Sequence, residues 1–131
     1  MTNQPTSSAE QRGRTPEEIL PQIWVLAEDK LARDPVVLDL RKISGFADYF
    51  LILTGNSEPH IKAIVDGIGK GLREWGLHPR SVEGVPASHW TIMDYGDIVI
   101  HVFHPETRQH YALEFLWNDA DRWTPQGEGA R

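Results

Sequence analysis

Two runs of this sequence leave it little choice of architecture. YFLILTG (residues 49–55) and DIVIHVF (residues 97–103) are apolar on both of their alternating faces. Successive side chains of a strand point to opposite sides, so a strand apolar at nearly every position has to be covered on both. In the second run Ile98, Ile100 and Val102 point one way, and Val99, His101 and Phe103 the other. Such strands belong in the middle of a sheet with helices against it, the usual state in α/β proteins.

The covering helices are predicted by their own periodicity. Thr15 is a good N-cap, Pro16 suits the first helical position and Glu18 closes a capping box. Ile19, Leu20, Ile23, Leu26, Ala27 and Leu31 then form one stripe. Pro21 removes an internal hydrogen bond and is expected to bend the first turns, and Asp34-Pro35 to end the segment. A second helix spans residues 56–76, capped by Asn56 or Ser57, with Ile61, Ile64, Val65, Ile68, Leu72 and Trp75 on one face and Gly76 as its stop. Gly67, Gly69 and Gly71 each weaken it by roughly 1 kcal/mol against alanine. Ala63, Gly67 and Gly71 lie beside the apolar stripe, where close packing on the sheet is expected, a flat partner interface being the alternative. A closing helix is predicted over PETRQHYALEFLW (105–117), with Tyr111, Ala112, Phe115 and Leu116 facing inward.

VVLDL (36–40), RSVEG (80–84) and WTIMD (90–94) supply the other strands, the RSVEG segment at an edge. Asp94-Tyr95-Gly96-Asp97 joins WTIMD to DIVIHVF, with Gly96 able to take the positive φ of a tight hairpin. The predicted order is α-β-β-α-β-β-β-α: an α/β single domain with a mixed sheet of about five strands packed with helices. MTNQPTSSAEQRGR (1–14) lacks the apolar surface to offset ordering, and TPQGEGAR (124–131) reads the same way. These are predicted disordered tails around a folded domain over residues 15–123.

Composition narrows the chemistry. The chain has no cysteine, which excludes disulfides, thiolate zinc sites and cysteine nucleophiles. A formal net charge of −6 argues against a surface built for nucleic acid. No stretch approaches a membrane span and the N-terminus lacks a signal-peptide pattern, so a soluble cytoplasmic protein is expected.

The chemical constellations are thin. His101 and His104 sit on a strand and its exit and should leave opposite faces, and His89, Asp94, Asp97 and His110 join them only if the fold brings them in; no HExxH spacing occurs. Metal is therefore not expected, and His101 is read as a core residue with its nitrogens hydrogen-bonded, His104 as a cap or a solvated side chain. Ser57 lacks the GxSxG elbow and is better used as a cap. Gly55, Asn56 and Ser57 lie between a strand and a helix N-terminus, where anions bind, but no GxxxxGK[ST] follows. A nucleotide enzyme would also need metal-binding carboxylates, for which Asp39 and Asp48 are the candidates. No cofactor is expected. Trp90, Ile92 and Asp94 share one face of their strand, and Thr91, Met93 and Tyr95 the other. If one face is uncovered, it exposes an aromatic beside a carboxylate, as interface hot spots do; core packing of Trp90 is the equal alternative.

VVLDLRKISGFADYFLILTGNS, VEG, WTIMDYGDIVIHVF and ETRQHYALEFLW together resemble the ribosomal silencing factors, the Iojap-like family, from about Glu18 to Ala120. The resemblance implies a nucleotidyltransferase-like fold without catalysis. It implies a translational repressor that binds the large ribosomal subunit through large-subunit ribosomal protein fourteen, with little direct RNA contact, and blocks joining of the small subunit. It also implies a role in large-subunit assembly, as for organelle relatives, and leaves open a homodimer when free. Carried over by position, the docking residues are Trp90, Asp94, Tyr95, Gly96 and Asp97, with Arg108 and Tyr111 flanking them. The glycine-rich DGIGKG helix and the long polar N-terminal tail depart from the family pattern.

Overall fold

A computed structural model of the chain describes residues 14–125 apart from Ser44, Phe46 and Val85. The predicted tails fall almost wholly outside these residues. Arg14, assigned to the first tail, is tied down: its guanidinium lies 4.2 Å over the Trp75 ring and donates to the Trp75 carbonyl at 3.1 Å.

Helix α1 (Pro16–Asp29) opens with the predicted capping box between Thr15 and Glu18, and carries Pro21 at an exposed position inside it. It stops at Lys30, before Asp34-Pro35, because Leu31 turns to φ 60° and the chain enters β1 (Arg33–Asp39) at once. Asp34-Pro35 therefore opens a strand rather than closing a helix. The register slips between Arg33 and Val36, a bulge in which a proline without an N–H is tolerated.

Six strands form one mixed sheet, with β2 (Tyr49–Thr54), β3 (Ser81–Glu83), β4 (Trp90–Asp94), β5 (Ile98–Phe103) and β6 (Asp121–Trp123) in the order β3-β4-β5-β2-β1-β6. The two apolar runs are its centre: β2 and β5 pair in parallel from Tyr49↔Ile98 to Thr54↔Phe103, and every other pairing is antiparallel. The α/β domain is as predicted, with a sixth strand in place of about five. β6 is only three residues long and pairs Val37 with Trp123.

The sheet separates two apolar layers. On one face α1 and α2 (Glu58–Glu74) bury Ile23, Ile61, Ile64, Ile68 and Leu72 against Tyr49, Leu51, Leu53, Ile98, Ile100 and Val102. Gly67 and Gly71 pack on α1 rather than on the sheet. A Cβ at Gly71 would stand 2.5 Å from Leu26 Cδ2, and one at Gly67 2.8 Å from Lys30 Cε. On the other face Leu38, Phe50, Ile52 and Phe103 form a smaller cluster, partly roofed by Leu113 and Trp117.

The roof is not the single helix predicted. It breaks into α3 (Pro105–Tyr111) and α4 (Leu113–Leu116) at Ala112, which takes the left-handed φ 48°, ψ 52° and donates to the Arg108 carbonyl at 2.8 Å. The break reverses the expected inner face: Tyr111 is 49%, Phe115 76% and Leu116 67% exposed, while Leu113 and Trp117 turn in.

Candidate functional site

Trp90 begins β4, whose residues alternate between half-buried and buried. Thr91, Met93 and Tyr95 go under the long helices; Trp90, Ile92 and Asp94 emerge on the thinly roofed face. The hairpin pairs Trp90 with Phe103 and Ile92 with His101. The indole accordingly lies 4.9 Å from the Phe103 ring, 4.5 Å from the Tyr111 ring, and its Nε1 donates to His101 Nδ1 at 3.2 Å. Phe50 extends the cluster, 4.6 Å from His101 and 6.2 Å from Trp117. A cleft along Trp90 and Tyr111 is edged by Ser88, Glu106, Thr107 and His110.

His101 is 5% exposed, and burial pushes its pKa down to about 4. It is neutral at pH 7, and accepting at Nδ1 places its proton on Nε2. That nitrogen has no protein partner among the described residues, so only one of the two expected hydrogen bonds is made.

The structure divides the docking residues inferred from the resemblance. Trp90 and Tyr111 are in contact, and Asp94 shares their face. Asp94 Oδ1 accepts the Gly96 N–H at 2.8 Å, which locks the turn while Gly96 takes φ 89°. The Asp97 carbonyl accepts from the N–H groups of Asp48 and Tyr49, fixing the hairpin to β2. Tyr95 points the other way: it is 7% exposed among the helices, and burial raises its pKa to about 12 despite the nearby Arg73 charge. Arg108 is an internal brace. It donates to the Asp34 carbonyl and Thr54 Oγ1, both at 2.7 Å, and forks onto Glu114 at 3.2 and 2.7 Å. That fork holds the Glu114 carboxyl below the usual range. The exposed Phe115 and Leu116 were missed as surface residues; nothing in their helical spacing announces the turn at Ala112.

The residues weighed for nucleotide or metal chemistry do not converge. Ser57 Oγ accepts the His60 N–H and the Asn56 N–H goes to His60 Nδ1, so the start of α2 is already satisfied. Asp39 is forked by Arg41, which lowers its pKa, while burial and then Asp97 raise that of Asp48. Both lie at the end of the β1–β2 pair where β2 begins; Asn56 follows its far end, roughly 20 Å away by strand rise. His104 caps α3 through Nδ1 and stacks on His89 at 4.9 Å. Among the described residues no three His, Asp or Glu side chains gather as metal ligands.

Fold and face together define a class: a small α/β domain that carries an aromatic cluster on the thinly roofed face of its sheet. The family described as "Ribosomal silencing factor during starvation" matches residues 14–130. The chain belongs to this ribosomal silencing factor family, whose members are translation regulators. It is 40% identical over 104 residues to the ribosomal silencing factor RsfS of Halalkalibacterium halodurans, covering 79% of this chain and 89% of that one. With RsfS of Bacillus subtilis it shares 44% over 93 residues, 71% and 79% of the two chains. A mouse protein named for mitochondrial assembly of the ribosomal large subunit is 37% identical over 97 residues, 70% of this chain and 42% of that protein. Among solved structures, a Chromobacterium violaceum protein superposes with a TM-score of 0.75 at 30% identity, covering 78% of this chain and 85% of that one. A Bacillus halodurans protein does so with a TM-score of 0.70 at 39% identity, covering 77% and 94%.

Proposed function

We propose that this protein represses translation in the cytoplasm by steric occlusion. It docks the face around Trp90 on a protein of the large ribosomal subunit, large-subunit ribosomal protein fourteen, and fills space that the small subunit needs. The observation that carries the reading is Trp90 itself: an indole held by Phe103, Tyr111 and His101 at a half-buried position, with Asp94 at the other end of the same strand face. A pre-oriented aromatic in a polar rim has the make-up of a binding hot spot. Asp94, Asp97 and the −6 charge suit a basic partner and steer the encounter. Tyr111, Phe115 and Leu116 widen the contact; Tyr95 and Arg108 serve it from inside, by holding the hairpin and the roof. No catalytic step is assigned, and the mouse relative's name supports a further role in large-subunit assembly.

Co-sedimentation with purified large subunits tests this. Trp90→Ala, checked for folding by circular dichroism, should weaken binding by more than ~2 kcal/mol. Unchanged sedimentation removes Trp90 from the interface. Light scattering of the free protein reports whether it pairs with a second copy.

A further inference from the structure

A second surface lies on the opposite side of the sheet. The two long helices cover its centre and stop short of β3, an edge strand that among the described residues pairs only with β4. Between α2 and β3 runs a groove of about 400 Å³ lined by Val65, Gly69, Lys70, Arg73, Val82 and Met93. Met93 forms its floor at 2% exposure, and its cross-strand partner Val82 is 48% exposed. Gly69 keeps the groove open, since a Cβ there would already stand 3.7 Å from Met93 Cε.

The rim is positive in a chain whose net charge is negative. Among the described residues Lys70 and Arg73 have no ion-pair partner, while the one acid in the lining, Asp66, is engaged by Lys62 at 2.6 Å. Arg80 adds a third cation at the hairpin turn, 3.2 Å from where a Cβ on Gly96 would stand.

We propose that this groove docks an acidic, extended segment of a partner protein. The segment's backbone adds to the open edge of β3, one apolar side chain enters over Val82 and Met93, and its carboxylates meet Lys70 and Arg73. An apolar floor with only two cations at its rim suits such a peptide better than a phosphate backbone, which wants clustered cations. The Trp90 face is on the other side of the sheet, so both surfaces can be occupied at once.

Fluorescence anisotropy on the full chain tests this, using a fluorescein-labelled peptide of about eight residues in which glutamate alternates with valine. A lysine–valine peptide and a labelled oligouridylate run beside it. The acidic peptide should bind, and Lys70→Glu with Arg73→Glu should weaken it at least about tenfold. Both side chains are exposed, and circular dichroism checks the fold. Val82→Ser should weaken binding about threefold through lost apolar contact. Trp90→Ala should leave it unchanged, which separates this site from the ribosomal one. Absence of acidic-peptide binding, tighter binding of the oligouridylate, loss of peptide binding in Trp90→Ala, or self-association that Lys70→Glu abolishes would each overturn the proposal.

Discussion

Trp90 Nε1 and His101 Nδ1 are joined across 3.2 Å, and this bond decides which nitrogen of a buried imidazole holds the proton. Burial lowers the His101 pKa from 6.5 to about 4. Between those values the unfolded chain binds more protons than the folded one, so stability falls as pH falls. The loss is absent above about pH 6.5, complete near pH 4, and on the order of 3 kcal/mol. Urea midpoints of the parent should therefore drop steeply over this window, and those of His101→Leu should drop less. Parallel curves for the two proteins would show that His101 does not govern the acid limb.

The α1–α2 crossing makes opposite predictions for two neighbouring glycines. Gly71→Ala pushes a methyl into Leu26, 2.5 Å away, and should cost about 1–3 kcal/mol. Gly69→Ala meets only Met93 Cε at 3.7 Å and should gain up to about 1 kcal/mol from helix propensity. Denaturant midpoints at neutral pH check both signs.

Arg108 gathers Asp34, Thr54 and Glu114 at one point. Arg108→Ala strands a half-buried carboxylate and should cost about 2–4 kcal/mol. Arg108→Lys should recover little, because an ammonium does not fork onto a carboxylate. Thermal unfolding of the three proteins measures the difference. A full rescue by lysine would mean that charge alone matters here.

Phe115 and Leu116 touch mainly solvent. The double substitution Phe115→Ser, Leu116→Ser should change stability by no more than about 0.5 kcal/mol. Its large-subunit binding should nonetheless fall several-fold in co-sedimentation. Unaltered binding would confine the contact to Trp90 and the hairpin.

What could be read from the sequence was set by period and by caps. The both-faces-apolar runs located β2 and β5, alternation split Trp90 from Tyr95, and Thr15, Ser57 and Gly96 marked their turns. The breaks came from contacts distant in the chain. Ala112 adopts a left-handed conformation beside an Arg108 braced by Asp34 and Thr54, and no local signal carries that. β6 is too short for a pattern and exists because Val37 offers it an edge. The same logic explains the site. The family resemblance groups Tyr95 with Trp90, but only the pleat of β4 sends their side chains to opposite sides of the sheet.

The pairing of β6 with β1 also orders events during synthesis. Trp123 closes against Val37 across nearly the whole domain, so β1 leaves the ribosome long before its outer neighbour exists. Until then a nascent chain carries an unguarded strand edge, a template for mispairing with other chains. Truncation just before residue 121 would make that temporary exposure permanent, and precipitation rather than loss of docking would be its first symptom.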